Sequence, residues 1–323
     1  MKQTYREALR EGLKDVLIHY QNSFLIGEDV GAYGGTYAIS KDFLKEFGSE
    51  RIIDAPLSEV GFMGLGIGAA MGGMKPIVEI MTVNFALLAL DQIINTAAFI
   101  KFMSGDQITL PLVIRMTSGG GRQLAAQHSN SFEGWFAHIP GLIILTPSTI
   151  EDARYMLIHA MKENTPVIII EHALLFNTTG EYSDERADYS LYKARVIKTG
   201  SDLTLITYGG MLPKCMKACE EMSKIGKEIE LIDLRCLRPL DTETIYASLK
   251  KTHRVLIVDE GWKSGSISAE ISARIMENCF YDLDTPVQRL CRKEVPVPYA
   301  PQLEEAIIPQ YSNIVQKLKE MLP

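Results

Sequence analysis

One carboxylate, Glu59, opens a run of small and apolar residues that carries no further charge until Lys75. Gly61, Gly64, Gly66 and Gly68 lie inside that run. A carboxyl group at the mouth of a buried helix can keep or share a proton near neutral pH, because burial disfavours its charged form. The helix dipole pulls the other way, and a glutamate that only complements the dipole is the plainer reading. A second acidic pair, Glu28-Asp29, follows the short apolar stretch Phe24-Leu25-Ile26-Gly27. A strand running into acidic and glycine residues sets carboxylates at the carboxyl edge of a sheet, where open α/β folds bind ligands. A solvated turn would read the same way. His128, in Gln127-His128-Ser129, is a side chain that titrates near neutral pH and can shuttle protons. A satisfied loop histidine is its bland alternative, and the nearby His138 is read as structural. Gly119-Gly120-Gly121 could cradle phosphate through backbone N–H groups, although a triple glycine equally marks a flexible loop.

Other chemistries find less support. The net charge of −7 disfavours nucleic acid as a partner. Cys215, Cys219, Cys236, Cys279 and Cys291 form neither a framework of pairs nor a CxxC site. Cys215 and Cys219 share an i, i+4 spacing that suits a metal pair, but a reduced, structural role is expected. The glycines near Gly61 fall within a helical pattern, not in a GxGxxG turn between strand and helix, which argues against a dinucleotide fingerprint. The opening residues have no apolar segment typical of a targeting peptide, and no run is long enough to span a membrane. The cytoplasm is the expected compartment.

The elements that must position these residues follow from patterning. A chain of 323 residues, 46% hydrophobic and 23% charged, is expected to form two or more globular domains. Thr4 caps an amphipathic helix reaching His19. Ile52-Ile53-Asp54, the helix after Ser58, and Pro76-Ile77-Val78-Glu79-Ile80 read as a βαβ unit and so predict a parallel sheet. Ser58 is the predicted side-chain N-cap, and the uncharged helix is predicted to be buried on most sides. A long apolar helix is expected from about Ala86 to Phe102. Strands are expected at 110–115, 143–145 and 167–171, with Ser148 and Glu151 as a capping box between the last two. The polar stretch 181–195 reads as a linker between an α/β domain of 1–180 and a second of 196–323. In the second, strands are expected at 203–209, 229–234 and 255–260, with Asp241 as a helix N-cap.

Pro56-Leu57-Ser58-Glu59, then Gly68-Ala69-Ala70 and Gly73-Met74-Lys75-Pro76, resemble the β subunit of the E1 component of thiamine-diphosphate-dependent 2-oxo acid dehydrogenases. Within that family it resembles the pyruvate type found in cyanobacteria and plastids. The resemblance runs through nearly the whole chain. It includes Gln127-His128-Ser129, Arg238-Pro239-Leu240-Asp241 and Pro296-Val297-Pro298-Tyr299. It implies a pyrimidine-binding α/β domain followed by a transketolase C-terminal-like domain. Arg115-Met116-Thr117-Ser118-Gly119 departs from the family's Arg-Gly-Pro-x-Gly, so the shape of that loop is not carried over.

The resemblance also implies roles. Glu59 would share a proton with N1′ of the cofactor, and His128 would act on the intermediate or at lipoyl transfer. Glu28, Leu57, Met81 and Phe85 would surround the aminopyrimidine, Phe85 by stacking. Family members can hold potassium through positions matching Leu112, Ala160, Met161, Glu163 and Thr165, mostly by carbonyls. Side chains do not decide such ligation. The Gly-Asp-Gly…Asn motif that holds diphosphate and Mg2+ is absent here and lies on the α subunit in the family. The implied partners are therefore an E1 α subunit, in an α2β2 heterotetramer, and the E2 acyltransferase docked at the C-terminal domain. The implied reaction is decarboxylation of pyruvate and reductive acetylation of lipoyl-E2. Acetoin dehydrogenase and branched-chain 2-oxo acid dehydrogenase β subunits are the alternatives in the same class. A non-catalytic scaffold is the alternative of another class, disfavoured by the presence of Glu59 and His128.

Overall fold

The computed structural model describes residues 2–182 and 189–322. They fall into two compact units: Met1–Ser118 with Phe136–Leu191, and Gly119–Trp135 with Tyr192–Pro323. The residues 183–188 of the expected linker lie outside the described set, while Arg195–Lys198, at its end, begins with a strand.

In the first unit, parallel strands follow the order Ile143–Leu145, Val167–His172, Val113–Ser118, Lys75–Ile80, Ser23–Gly27 and Ile52–Asp54. Every residue of Val113–Ser118 and Val167–His172 is buried. Continuous β-branched runs suit a strand covered on both faces, and that is where they lie. The strand expected at 110–115 begins three residues later, since the Leu112 N–H turns back to the Leu110 carbonyl at 2.8 Å instead of joining the ladder. Proline at 111 lacks the N–H that pairing there would use.

Helix Tyr5–His19 starts as the sequence predicts. Thr4 Oγ1 accepts from the Glu7 N–H at 3.2 Å, and Glu7 returns a carboxylate to the Thr4 N–H at 2.7 Å. It packs on Ile150–Ala160 so closely that a Cβ at Gly12 would lie 2.7 Å from the Arg154 carbonyl oxygen. The cap of the latter helix is Thr149, which accepts from Asp152 N–H at 3.2 Å, so the expected Ser148–Glu151 box is one residue off.

Two helical expectations fail. The stretch after Phe85 is not one helix. It breaks into a 3-10 turn at Phe85–Ala89, a π-helical segment at Gln92–Ala98 and a short α-turn at Ile100–Met103. Apolar content says nothing about hydrogen-bond register, and π segments arise from packing. The helix Glu59–Met71 forms, but it is not covered on most sides. Val60 is 48% exposed, Leu65 50% and Met71 45%, and Gly61 and Gly68 lie on the same open stripe.

The second unit has a mixed sheet. Gln288–Arg292, Val255–Trp262, Leu203–Thr207 and Ile229–Asp233 are parallel, and Arg195–Lys198 adds an antiparallel edge. The second unit is therefore α/β with an antiparallel edge strand where an all-parallel sheet was expected. Asp241 caps Thr242–Thr252 as predicted, accepting from Thr244 N–H at 3.3 Å. Cys215 and Cys219, on Leu212–Ser223, lie in an apolar core with Leu205, Leu231, Leu256 and Leu318. Burial raises both thiols and pushes Cys219 up to about 12, the state of inert core cysteines.

Candidate functional site

Within the first unit, strand order gathers the candidate residues. Lys75–Ile80, Ser23–Gly27 and Ile52–Asp54 are neighbours, and their carboxyl ends lead to Met81, Glu28 and the Pro56–Glu59 segment. That edge is where a parallel sheet presents ligand-binding groups. The packing there is tight. A Cβ on Gly27 would sit 2.5 Å from the Glu79 carbonyl oxygen, so the residue before Glu28 must be glycine.

Glu28 is 9% exposed, and its Oε1 is buried without a hydrogen-bond partner. Burial raises its carboxyl above the usual range, and the carboxylates of Glu59 and Asp29 push in the same direction. Glu59 itself, the first residue of its helix, is 6% exposed. The cap differs from expectation: Ser58 is at the N-cap position, but its side chain accepts no cap hydrogen bond. Its hydroxyl instead lies over Gly61, where an added Cβ would be 2.7 Å from Ser58 Oγ.

Met81 and Phe85 bracket a turn at the end of Lys75–Ile80. The Val83 N–H donates to the Thr117 carbonyl at 2.9 Å and the Phe85 N–H to that of Thr82 at 3.0 Å, which fixes the turn on its neighbouring strand. Both side chains are partly exposed, and Leu57 is 85% exposed. Apolar side chains at the same sheet edge as a buried carboxyl pair suit a flat heteroaromatic ring. The orphaned Glu28 oxygen fits the amino and ring nitrogens of an aminopyrimidine.

Two sets of supporting residues escaped the sequence reading. Asp54 accepts from the N–H groups of Gly31 (2.5 Å) and Ala32 (2.8 Å), shaping the loop that follows Glu28. Below the edge, Arg115 donates to Glu171 at 2.8 and 3.0 Å and to Glu79 at 2.8 Å, all three on adjacent strands. Burial raises Glu171 to about 7, against the opposing pull of Arg115. The only sequence signal was a charged residue interrupting each apolar strand.

The positions matched to a potassium site lie around the turn after Ile150–Ala160. The Leu112 carbonyl accepts from Val167 N–H at 2.9 Å, that of Ala160 from Glu163 N–H at 3.0 Å, and that of Met161 from the Lys75 ammonium at 2.5 Å. Leu112 and Ala160 keep a second lone pair for an ion. Met161 already faces a cation, so the set fits potassium only in part. Among the described residues, no three His, Cys, Asp or Glu side chains come together as a metal cluster.

In the second unit, His128 is exposed, with its N–H on the Ala125 carbonyl at 3.3 Å. The glycine loop before it is not a phosphate cradle. Gly120 N–H donates to Glu260 Oε1 at 2.7 Å, Gly121 N–H to Glu304 Oε1 at 2.8 Å and Gln123 N–H to Glu304 Oε2 at 2.9 Å. Protein carboxylates already occupy those donors.

The family described as transketolase, pyrimidine binding domain, matches residues 1–178, and transketolase, C-terminal domain, matches 192–314. A mitochondrial pyruvate dehydrogenase E1 component subunit beta from Dictyostelium discoideum is 41% identical, covering 98% of this chain and 90% of its own. The corresponding subunit from Rhizobium meliloti is 41% identical, covering 98% and 69%, and the human one 39%, covering 99% and 90%. A solved structure described as a split gene transketolase, inactive beta4 tetramer, superposes with a TM-score of 0.81 at 20% identity, covering 98% of this chain and 97% of that one. It speaks to the fold alone.

Proposed function

We infer the chemistry from one premise: the chain belongs to the family of pyruvate dehydrogenase E1 component β subunits. In this reading it joins an E1 α subunit to decarboxylate pyruvate and pass the acetyl group to the lipoyl arm of E2, in the cytoplasm. When bound, thiamine diphosphate supplies the carbon nucleophile and the electron sink for that decarboxylation. Glu59 holds a proton at N1′ of the pyrimidine. Glu28, whose carboxyl is raised by burial and by Glu59, hydrogen-bonds the same ring through its orphaned oxygen. Phe85 stacks on the ring, while Met81 and Leu57 complete the apolar wall and exclude water. His128 holds or moves a proton at the acyl-transfer stage.

The observation that carries this reading is the pair Glu28 and Glu59 at one sheet edge, with a buried, unpartnered oxygen on Glu28. The partner assignment rests on two further points. The chain lacks a diphosphate and Mg2+ motif, and the helix that begins with Glu59 leaves an apolar glycine stripe open. Mg2+ is accordingly assigned to the α subunit. Acetoin and branched-chain 2-oxo acids remain the competing substrates because no residue above discriminates among them.

The test is co-expression with an α subunit, then a pyruvate decarboxylation assay with thiamine diphosphate and Mg2+. Activity should require both chains and vanish in Glu59→Gln while assembly persists. Turnover by this chain alone would overturn the shared-site reading. Turnover of acetoin or a branched 2-oxo acid in place of pyruvate would reassign the substrate.

A further inference from the structure

The segment from Gly119 to Asn130 is closed at its neck, where the Gly119 N–H donates to the Asn130 carbonyl at 3.0 Å. Between these ends the chain is largely exposed. It carries two non-glycine residues in the left-handed region, Gln123 at φ 59° and Ala125 at φ 63°, shortly before His128. Side chains disfavour that conformation, so it persists only where surroundings impose it.

Those surroundings are three buried charges of the same unit. Glu304, 2% exposed on the helix Pro301–Ile307, takes Gly121 N–H on one carboxylate oxygen and Gln123 N–H on the other. Glu260, 5% exposed on Val255–Trp262, takes Gly120 N–H. Arg292, 2% exposed at the end of Gln288–Arg292, donates to the same Glu260 oxygen at 2.7 Å and to the Ser129 carbonyl at 2.8 Å. Arg292 thus ties the residue after His128 to the carboxylate that holds the start of the loop. Gly120 leaves room for this: an added Cβ would lie 2.8 Å from Ile308 Cδ1 and 3.3 Å from Glu304 Oε1. Charged groups are rarely buried unless paired, and here each of the three holds loop backbone.

We propose that Glu304, Glu260 and Arg292 are positioning residues that hold the His128 loop in its working shape. This rests on the reading that His128 acts in acyl transfer. It gives the C-terminal unit a part in the reaction besides assembly. The clamp's contacts with Gly120, Gly121, Gln123 and Ser129 are to backbone, so it sets the shape of the loop and acts on His128 through that shape.

The experiment uses the enzyme assembled with its α subunit and lipoyl-bearing E2. Glu304→Gln keeps the shape but offers one acceptor where two are needed. Amide hydrogen exchange at Gly121 and Gln123 should quicken on the order of 10-fold or more, and kcat for lipoyl acetylation should fall roughly 10- to 100-fold. The decisive arm is the double variant: in a His128→Ala background, Glu304→Gln should cost nothing further. Equal kcat losses with and without His128, or a loosened loop with unchanged kcat, would overturn the proposal and leave His128's role standing. Full activity in His128→Ala would instead remove the role on which it rests. Where Glu304→Gln fails to assemble, exchange in the wild-type enzyme decides. Rapid exchange at Gly120, Gly121 and Gln123 would overturn the clamp, and slow exchange supports it.

Discussion

Glu28 shows how a sequence feature acquires chemistry from its surroundings. In the sequence it is half of an acidic pair after a strand; in the fold it is a buried carboxyl with one orphaned oxygen beside Glu59. Its raised pKa means that the folded chain binds a proton the unfolded chain releases. Folding at this residue is therefore favoured below the ordinary carboxyl value of 4.5 and penalised as pH climbs through the raised one. Glu28→Gln removes that penalty. In the chain free of cofactor, the variant should melt higher than wild type at pH 7–8, with the difference shrinking towards about pH 4. Thermal melts across that range check it, and a variant less stable at pH 8 would refute the assignment. With cofactor and partner present, the same variant should bind thiamine diphosphate more weakly.

At the scale of elements, the parallel strands were legible because their apolar runs are long and bounded by turn residues. What binds them at the carboxyl edge was not. Arg115 bridges Glu79 and Glu171 across two strand neighbours, which only the order of strands could bring together. Arg115→Met should strip both carboxylates of their partner and destabilise the unit by about 3–5 kcal/mol near pH 7. Glu171, raised to about 7 even with Arg115 present, will take up a proton readily in the variant. The loss should therefore be smaller at pH 5 than at pH 8, as urea unfolding at the two pH values would measure. An equal loss at both would mean that packing, not charge, is at stake.

For the whole molecule, the open face of Glu59–Met71 bears on assembly. Gly68 occupies a helix interior with nothing within 4 Å of the place its Cβ would take. Glycine there costs about 1 kcal/mol against alanine, and nothing among the described residues repays it. Close approach by another chain would. Gly68→Ala should leave this chain as stable or more so, whereas Gly68→Phe should abolish co-purification with the α subunit without lowering the melting temperature of the isolated chain. Undisturbed assembly of Gly68→Phe would exclude this face from the interface.

The sequence alone determined the α/β class, the strands built from uninterrupted apolar runs, the caps at Thr4 and Asp241, and, through the Pro56–Glu59 and Gln127–Ser129 motifs, the family. Such features are local, written in residues a few positions apart. Only tertiary structure decided that Phe85–Met103 breaks into 3-10, π and α turns, that one face of Glu59–Met71 is open, and that Arg195–Lys198 pairs antiparallel. It alone showed the Gly119–Gly121 donors filled by Glu260 and Glu304. Those outcomes depend on residues distant in sequence meeting in space, as Lys198 meets Leu231 and Gly120 meets Glu260. The periodicity of a segment carries no record of which distant carboxylate will accept its N–H groups.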